Sequence, residues 1–276
     1  YFGATSCNSA AIAGKLANVP SITYMVNSSA VNQWWERPLN YVLSKCVNTW
    51  VTASKHLNGR IEFLTGKDGD ARVVPNTIWP NIKKDKKQMR EELGVIDDQL
   101  LYLCCGVLEE RKGFDLAIKA FKDVTADTNR RIELFIKGEG SQRKKLQKMV
   151  DVQVNVFLST EDLKISDVDM INACDVLVVP SVSDEDFPNV ILMALYCGVP
   201  VIGTNIAGIP EQIKHCGGQV VISGMVSHLE YAMNMLLNNK RRKRLAKEAK
   251  EKFKSDYTSD KIMKKWGGIW HQKSQS

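Results

Sequence analysis

From about Leu100 the apolar and polar positions alternate in a way that predicts short buried strands separated by helices. "LLYLCCG" (100 to 106) is a strand-length apolar run. It precedes a helical pattern from Phe114 to Val124, with Phe114, Ala117, Ile118 and Phe121 on one face. "RIELFIKG" (131 to 138) and "VNVFLS" (154 to 159) read as strands, each followed by a polar helical stretch, near 141 to 150 and 167 to 173. "DVLVVPS" (175 to 181) leads through an acidic loop into an apolar helix, "VPVIGT" (199 to 204) follows, and "QVVIS" (219 to 223) is the last strand before consecutive helices. Short β-branched runs alternating with helices indicate parallel strands covered on both faces. The expected fold class is therefore α/β: one complete Rossmann-like doubly wound domain, with all of 88 to 255 in one unit.

The segment before it has the same character but is short. "CNSAAIAGKLANVPSITYMVN" (7 to 27) reads as helix then strand, and "TWVTASKHLNGRI" (49 to 61) as strand then helix. About 75 residues precede the "VPNTIWP" junction at 74 to 80, fewer than the roughly 100 to 200 of a usual α/β domain. The expected organisation is a partial N-terminal α/β domain over 1–80, a C-terminal domain over 81–255, and a last helix over 256–276. "NIKKDKKQMREELG" (81 to 94) reads as a linker entering a surface helix. In the final helix Ile262, Trp266 and Trp270 recur every four residues, a stripe expected to return against the N-terminal segment.

Composition narrows the classes. At 44% hydrophobic and 25% charged the chain is an ordinary globular one, and no apolar run reaches the roughly 18 to 20 residues of a membrane span. The seven cysteines show no metal spacing and mostly fall inside apolar elements, which suits reduced core thiols of a cytoplasmic protein. His56, His215, His228 and His271 form neither a metal spacing nor a triad. No bound metal or cofactor is expected.

The net charge of +7 is local, because "KRRKRLAKEAKEKFK" (240 to 254) alone accounts for it. One reading is peripheral contact with an anionic membrane surface. The other is a solvated helix with Leu245, Ala249 and Phe253 inward. Nucleic acid is disfavoured, since no aromatic interleaving or recognition module accompanies the patch.

Ligands of an open parallel sheet bind beyond the carboxyl ends of its strands, where helix N-termini present free amides. "GVLEERKGF" (106 to 114) brings Gly106, Lys112 and Gly113 to that edge. "PSVSDEDFPNV" (180 to 190) brings Glu185 and Asp186 before a helix whose Asn189 and Val190 amides can hold a diphosphate. "KGEGSQ" (137 to 142) carries Gly138 and Gly140, but Arg143 stands where a dinucleotide motif needs its third glycine. Taken singly, Lys112 is also readable as a surface lysine, the acids as helix-dipole partners, and Glu211 as the cap of a short helix.

Together, "VTASKHL…VVPNTIW", "GVLEERKGFDLAIKAF" and "DVLVVPSVSDEDFPNVILMALYCGVPVIGTNIAGIPEQI" resemble glycosyltransferase family 4, retaining nucleotide-sugar-dependent enzymes of the GT-B fold. The resemblance runs from about Val51 to Trp270. It implies that the first strands and glycine-rich loop of the acceptor-side domain lie before Tyr1. It further implies a nucleotide-sugar donor and a saccharide or lipid-linked acceptor. Lys112 would touch the donor diphosphate and Glu185 the transferred sugar. The donor would lie against Gly106, Asp186, Phe187, Pro188, Asn189, Val190 and Glu211. Pro188 has no amide hydrogen, so Asn189 and Val190 are the donors there.

Three positions depart from the family pattern. Met193 stands where a second glutamate holds the ribose, Val107 where an arginine joins the lysine, and Val26 or Asn27 where a histidine is usual. A catalytically reduced binding or regulatory protein is the rival reading.

Overall fold

The computed structural model describes residues 2–3, 8–19, 22–26, 37–65, 71–96, 98–126, 128–159, 165–183 and 185–271. In the N-terminal lobe the elements run β1 (Phe2–Gly3), α1 (Asn8–Leu16), β2 (Thr23–Val26), α2 (Arg37–Cys46), β3 (Thr49–Thr52), α3 (Lys55–Thr65) and β4 (Ala71–Val73). The four strands pair in chain order and in parallel. Ala11, Ile22, Tyr24, Leu43, Val47, Trp50 and Ile61 form the small core between this sheet and its helices.

The second lobe continues with α4 (Lys86–Glu92), β5 (Leu100–Cys105), α5 (Phe114–Ala126), β6 (Ile132–Lys137), α6 (Arg143–Val150), β7 (Val156–Leu158), α7 (Asp167–Ala173) and β8 (Val176–Val179). It then runs through α8 (Asn189–Cys197), β9 (Val201–Thr204), α9 (Ile209–Ile213), β10 (Gly218–Val221), α10 (Val226–Met235), α11 (Asn239–Asp256) and α12 (Ser259–His271). Its strands lie in the order β10-β9-β8-β5-β6-β7, all parallel. The chain therefore lays strands outward from β5 in one direction, returns to β8 on the other side of β5, and continues outward from there. That reversal is the switch point at which doubly wound sheets open a crevice.

Why "LLYLCC" reads as continuous rather than alternating is visible in β5. Leu100, Tyr102 and Cys104 enter a core with α5, α6 and α10, whereas Leu101, Leu103 and Cys105 enter the opposite one with α7, α8 and α9. Both faces are covered, so each face requires an apolar residue. Burial pushes the Cys105 thiol up to about 12, which makes it a packing group rather than a nucleophile.

Several expectations shift. The 154 to 159 strand shortens to Val156–Leu158. The surface helix expected inside 81 to 94 is docked: Met89 and Arg90 are buried, and α4 lies on α7. Arg90 and Lys86 reach from it to Asp175.

The α12 helix does return to the N-terminal sheet, where Ile262 and Ile269 pack with Val51 and Val74, and Trp266 lies against them. Its inward stripe is Ile262, Trp266 and Ile269, spacings of four and three that follow the helical repeat. Trp270, placed on the stripe by its sequence spacing, is 48% exposed and stacks on Trp266 instead.

Arg242 is buried within the basic α11, and its guanidinium donates to the Leu236 and Leu237 carbonyls at the end of α10 (2.6 and 2.9 Å). Lys240, Lys243, Arg244, Lys247, Lys250 and Lys254 are the exposed cations, while Leu245, Ala249 and Phe253 face inward as expected.

Candidate functional site

The loops after β5 and β8 meet at the switch point, joined backbone to backbone. After β5 the chain passes Gly106 to Glu109, forms a single 3₁₀ turn at Glu110–Lys112 and leaves it through Gly113 in the left-handed conformation (φ 64°). A Cβ on Gly113 would stand 2.3 Å from the Pro180 carbonyl oxygen, so only glycine lets this turn rest on the end of β8. The Val182 amide then donates to the Arg111 carbonyl at 2.8 Å. Gly138 serves the same purpose from β6, since its Cβ would lie 1.8 Å from the Gly106 carbonyl oxygen. "KGEGSQ" is thus a packing motif that seats the β5 loop.

This docking brings Lys112 and Glu185 together. The Lys112 ammonium pairs with Glu185 Oε2, which also receives the Ser181 hydroxyl at 3.4 Å and the Arg111 Nη1 at 3.4 Å. Glu185 is only 7% exposed. These partners offset the cost of withdrawing the carboxylate from water. The Lys112 stem passes 3.9 Å from where a Gly106 side chain would begin, so Gly106 leaves room for it.

Asp186 and Phe187 are buried behind Glu185, and Phe187 packs edge-on against Tyr257 with ring centroids 5.8 Å apart. Pro188 precedes α8 in an extended conformation without any side-chain cap. The Ile191 amide turns back onto the Pro188 carbonyl, while the Asn189 and Val190 amides belong to the first turn, whose donors find no partner inside a helix. A helix start without a side-chain cap favours an anion.

Met193 lies one turn further along α8, half-buried against the core below the site. Val107 is 48% exposed in the β5 loop. Asp184 and Asn27 lie outside the described residues, and Val26 ends β2.

Glu211 is engaged elsewhere. Its two carboxylate oxygens accept the Lys55 and His56 amides (2.9 and 2.7 Å), so it caps α3 of the other lobe. Taken singly, Glu211 reads as a cap of its own short helix; the helix it caps is α3.

Asn76, Gln212, Ser181 and Arg111 were not singled out from the sequence. Asn76 Nδ2 reaches from the inter-lobe junction to the Phe187 carbonyl and to Asn189 Oδ1, both at 3.3 Å. Gln212, fully buried, donates to the Pro188 carbonyl at 3.3 Å. Both fix the entrance to α8. Asn76 had a signal, a polar side chain within "VPNTIWP", but nothing in one dimension pointed it at residue 189. Among the described residues no cluster of three or more His, Cys, Asp or Glu side chains forms a metal-ligand set.

Comparison with known proteins follows this geometry. The sequence model of the family described as Glycosyl transferases group 1 matches residues 85–252. The chain is 24% identical over 230 residues to N-acetyl-alpha-D-glucosaminyl L-malate synthase of Bacillus anthracis, covering 80% of this chain and 59% of that protein. It is 33% identical over 171 residues to a GDP-mannose-dependent monoacylated alpha-(1-6)-phosphatidylinositol monomannoside mannosyltransferase of Corynebacterium glutamicum, covering 58% of this chain and 44% of that one. The chain thus spans less than two thirds of these relatives' length.

Among solved structures, Anabaena HepE in complex with UDP superposes with a TM-score of 0.80 at 16% identity, over 100% of this chain and 79% of that one. A glycosyltransferase of Rickettsia africae gives 0.81 at 14% identity, over 97% and 74%. These two likenesses establish the fold, that of GT-B glycosyltransferases.

Proposed function

Since the chain belongs to the group 1 glycosyl transferases, we propose that it moves a sugar from a nucleotide diphosphate donor to a saccharide or lipid-linked acceptor, with retention at the anomeric carbon. The observation that supports this most is the Lys112–Glu185 pair at the switch point; Glu185 lies in the loop that leads into α8, whose start has no side-chain cap. In such a reaction the bond between the sugar's anomeric carbon and the diphosphate breaks, one to the acceptor hydroxyl oxygen forms, and the hydroxyl proton leaves with the departing diphosphate. Negative charge gathers on the departing diphosphate. Lys112 and the Asn189 and Val190 amides would stabilise it, and Glu185 would orient the sugar. No resident metal is part of this scheme.

UDP and GDP are the first probes, suggested by the UDP complex of HepE and the GDP-mannose dependence of the Corynebacterium enzyme. Calorimetric binding of either, together with release of that diphosphate from its sugar conjugates, is the expected result. Binding of neither would overturn the reading.

A catalytically reduced binding protein is the second reading, favoured by Met193 packing where a ribose-binding carboxylate is expected. Met193→Glu separates the two. Because Met193 is only half-buried, the new carboxylate can reach solvent, and a sound donor pocket should gain about tenfold in diphosphate affinity from a hydrogen bond to the ribose. An unchanged affinity with the fold intact would favour the reduced protein.

Peripheral membrane contact and a cytoplasmic location are part of the same proposal. No described helix is long and apolar enough to cross a membrane, and the exposed cations of α11 form one basic surface. With Lys240, Lys243 and Arg244 changed to Gln, binding to vesicles rich in anionic lipid should weaken about tenfold or more at low salt, since each such charge contributes about 1 kcal/mol. Arg242 is kept, because its role is to cap α10. Equal binding by parent and variant in a sedimentation assay would return α11 to a solvated helix.

A further inference from the structure

We propose that the cleft between the two lobes beside α12 is a second ligand site, which takes a soluble phosphate monoester of about hexose phosphate size and lies apart from the Lys112–Glu185 pair.

The cleft measures about 440 Å³ and draws its walls from both lobes. Lys55 comes from the start of α3, Lys252 from α11, and Lys261 and Lys265 from α12. Val73, Pro75, Phe187 and Tyr257 supply apolar surface between them. Lys112, Glu185, Asn189 and Val190 do not line it. Phe187 and Glu211, which it shares with the expected donor residues, are both committed elsewhere: Phe187 packs on Tyr257, and Glu211 caps α3.

The charges in the cleft do not cancel. Four lysines face two acids, Glu211 and Asp256. Both Glu211 oxygens accept backbone amides, those of Lys55 and His56. Asp256 pairs with Lys252 at 2.5 Å, and that ammonium also lies 5.8 Å from the centroid of the Tyr257 ring. Lys261 donates to the Ser255 carbonyl, which places its ammonium without neutralising it. The Lys55 and Lys265 ammonium groups make no hydrogen bond or ion pair among the described residues. Burial acts to raise the Asp256 pKa, yet Lys252, Ser255 and Lys265 outweigh it and hold the carboxyl below its ordinary value.

Lys261 and Lys265 stand one turn apart on the same face of α12, and like charges so placed weaken a helix. Helix formation gains nothing from them, whereas an anion held between them offsets their repulsion. Ammonium groups around an apolar floor suit a phosphate carried on an organic body better than the bare ion, and the volume falls within the roughly 300 to 1,000 Å³ of small-molecule sites. Because Lys55 belongs to the first lobe, a phosphate held by Lys55, Lys261 and Lys265 adds a link between the lobes. Glu211 already provides one, and Thr77, whose hydroxyl donates to the Tyr257 carbonyl at 2.8 Å, provides another.

Glucose 6-phosphate is the probe, with inorganic phosphate and glucose as controls, titrated by calorimetry into the parent and four variants. The parent should bind the ester, bind inorganic phosphate more weakly, and leave glucose unbound. The double variant Lys261→Gln with Lys265→Gln should lose about tenfold or more for the ester, and Lys55→Gln about threefold or more. Lys265→Arg, which keeps the charge, should stay within about threefold of the parent, and Lys112→Ala within about twofold. UDP and GDP binding by the double variant should match the parent, so this proposal and the donor reading stand or fall separately.

A parent that does not bind the ester at millimolar concentration overturns the proposal, as does equal binding by the parent and the double variant. Loss of the ester in Lys112→Ala with the double variant unaffected would return the anion to the donor loops and overturn it too. Unchanged affinity in Lys55→Gln would overturn a site shared by the lobes. Binding to phosphatidylinositol vesicles without binding of the soluble ester would assign the lysines to a lipid surface instead. Lys55, Lys261 and Lys265 are exposed, so their variants should fold as the parent does, and thermal unfolding checks this.

Discussion

Glu185→Gln should lower sugar transfer by about a hundredfold or more while leaving nucleoside diphosphate binding equal or slightly tighter. The substitution keeps the shape of the side chain and removes its charge. The group proposed to orient the sugar is thereby weakened, and Lys112 is released from the partner that holds it. Competition between Glu185 and a phosphate for one ammonium explains why the two readouts should part. Initial rates with the donor and calorimetry with the diphosphate are the measurements. A parallel loss in both would mean that Glu185 is needed to hold the pocket together, and that its burial at 7% exposure is structural in purpose.

The second large effect is on stability and lies away from the site. Asp175 ties α4 to the start of the central strands: Lys86 Nζ lies 2.9 Å from Oδ1, and Arg90 Nη1 and the Leu101 amide each lie 3.0 Å from Oδ2. Burial acts to raise the Asp175 pKa. The Lys86 ammonium, the Leu101 amide and the Arg90 guanidinium outweigh it and hold the pKa below the ordinary carboxylate value.

Asp175→Ala leaves a buried guanidinium with carbonyl partners only, those of Ala173, Ile96 and Gln99. Breaking a buried pair from one side costs about 3 to 5 kcal/mol. A fall of about 10 °C in the melting temperature is then expected for a lobe of this size.

The sign of the pH dependence follows from the lowered pKa. The contribution of Asp175 is complete above the unfolded value of about 4 and is lost as the pH falls through the folded value. Urea unfolding of the parent should therefore weaken on acidification below about pH 4, and the variant should show a flatter acid limb. A variant as stable as the parent at pH 7 would show that the other partners of Arg90 and Lys86 suffice.

Most of the second lobe was legible in one dimension. Strands buried on both faces leave a continuous apolar signature, and the helix faces repeat with the helical period, so β5, β6, β8 and β9 fell where their patterns placed them. The same local logic singled out Lys112 and Glu185, which pair in the structure, since each sits in a loop bounded by a strand end and a helix start. It failed where a residue's partner is remote. Trp270 continues a spacing of four that a helix of 3.6 residues per turn carries off the contact face, and Ile269 takes its place. Arg242 reads as one more surface cation among nine basic residues, yet the end of α10 needs a donor at that point.

What the sequence alone determined is therefore the α/β class, the parallel strands of the second lobe, the family resemblance and the two loops that bear the charged pair, because each is written in residues close along the chain. Tertiary structure decided how those loops meet. Gly113 and Gly138 allow backbone approaches that no side chain could share, and these bring Arg111 and Lys112 onto Glu185 from more than seventy positions away. It also decided that Glu211 caps a helix of the other lobe and that Asn76 and Gln212 set the entrance to α8. The physical reason is that hydrogen bonds and ion pairs are satisfied in space. A polar side chain's chemistry is readable from the chain, whereas the identity of its partner depends on which distant segments the apolar cores press together.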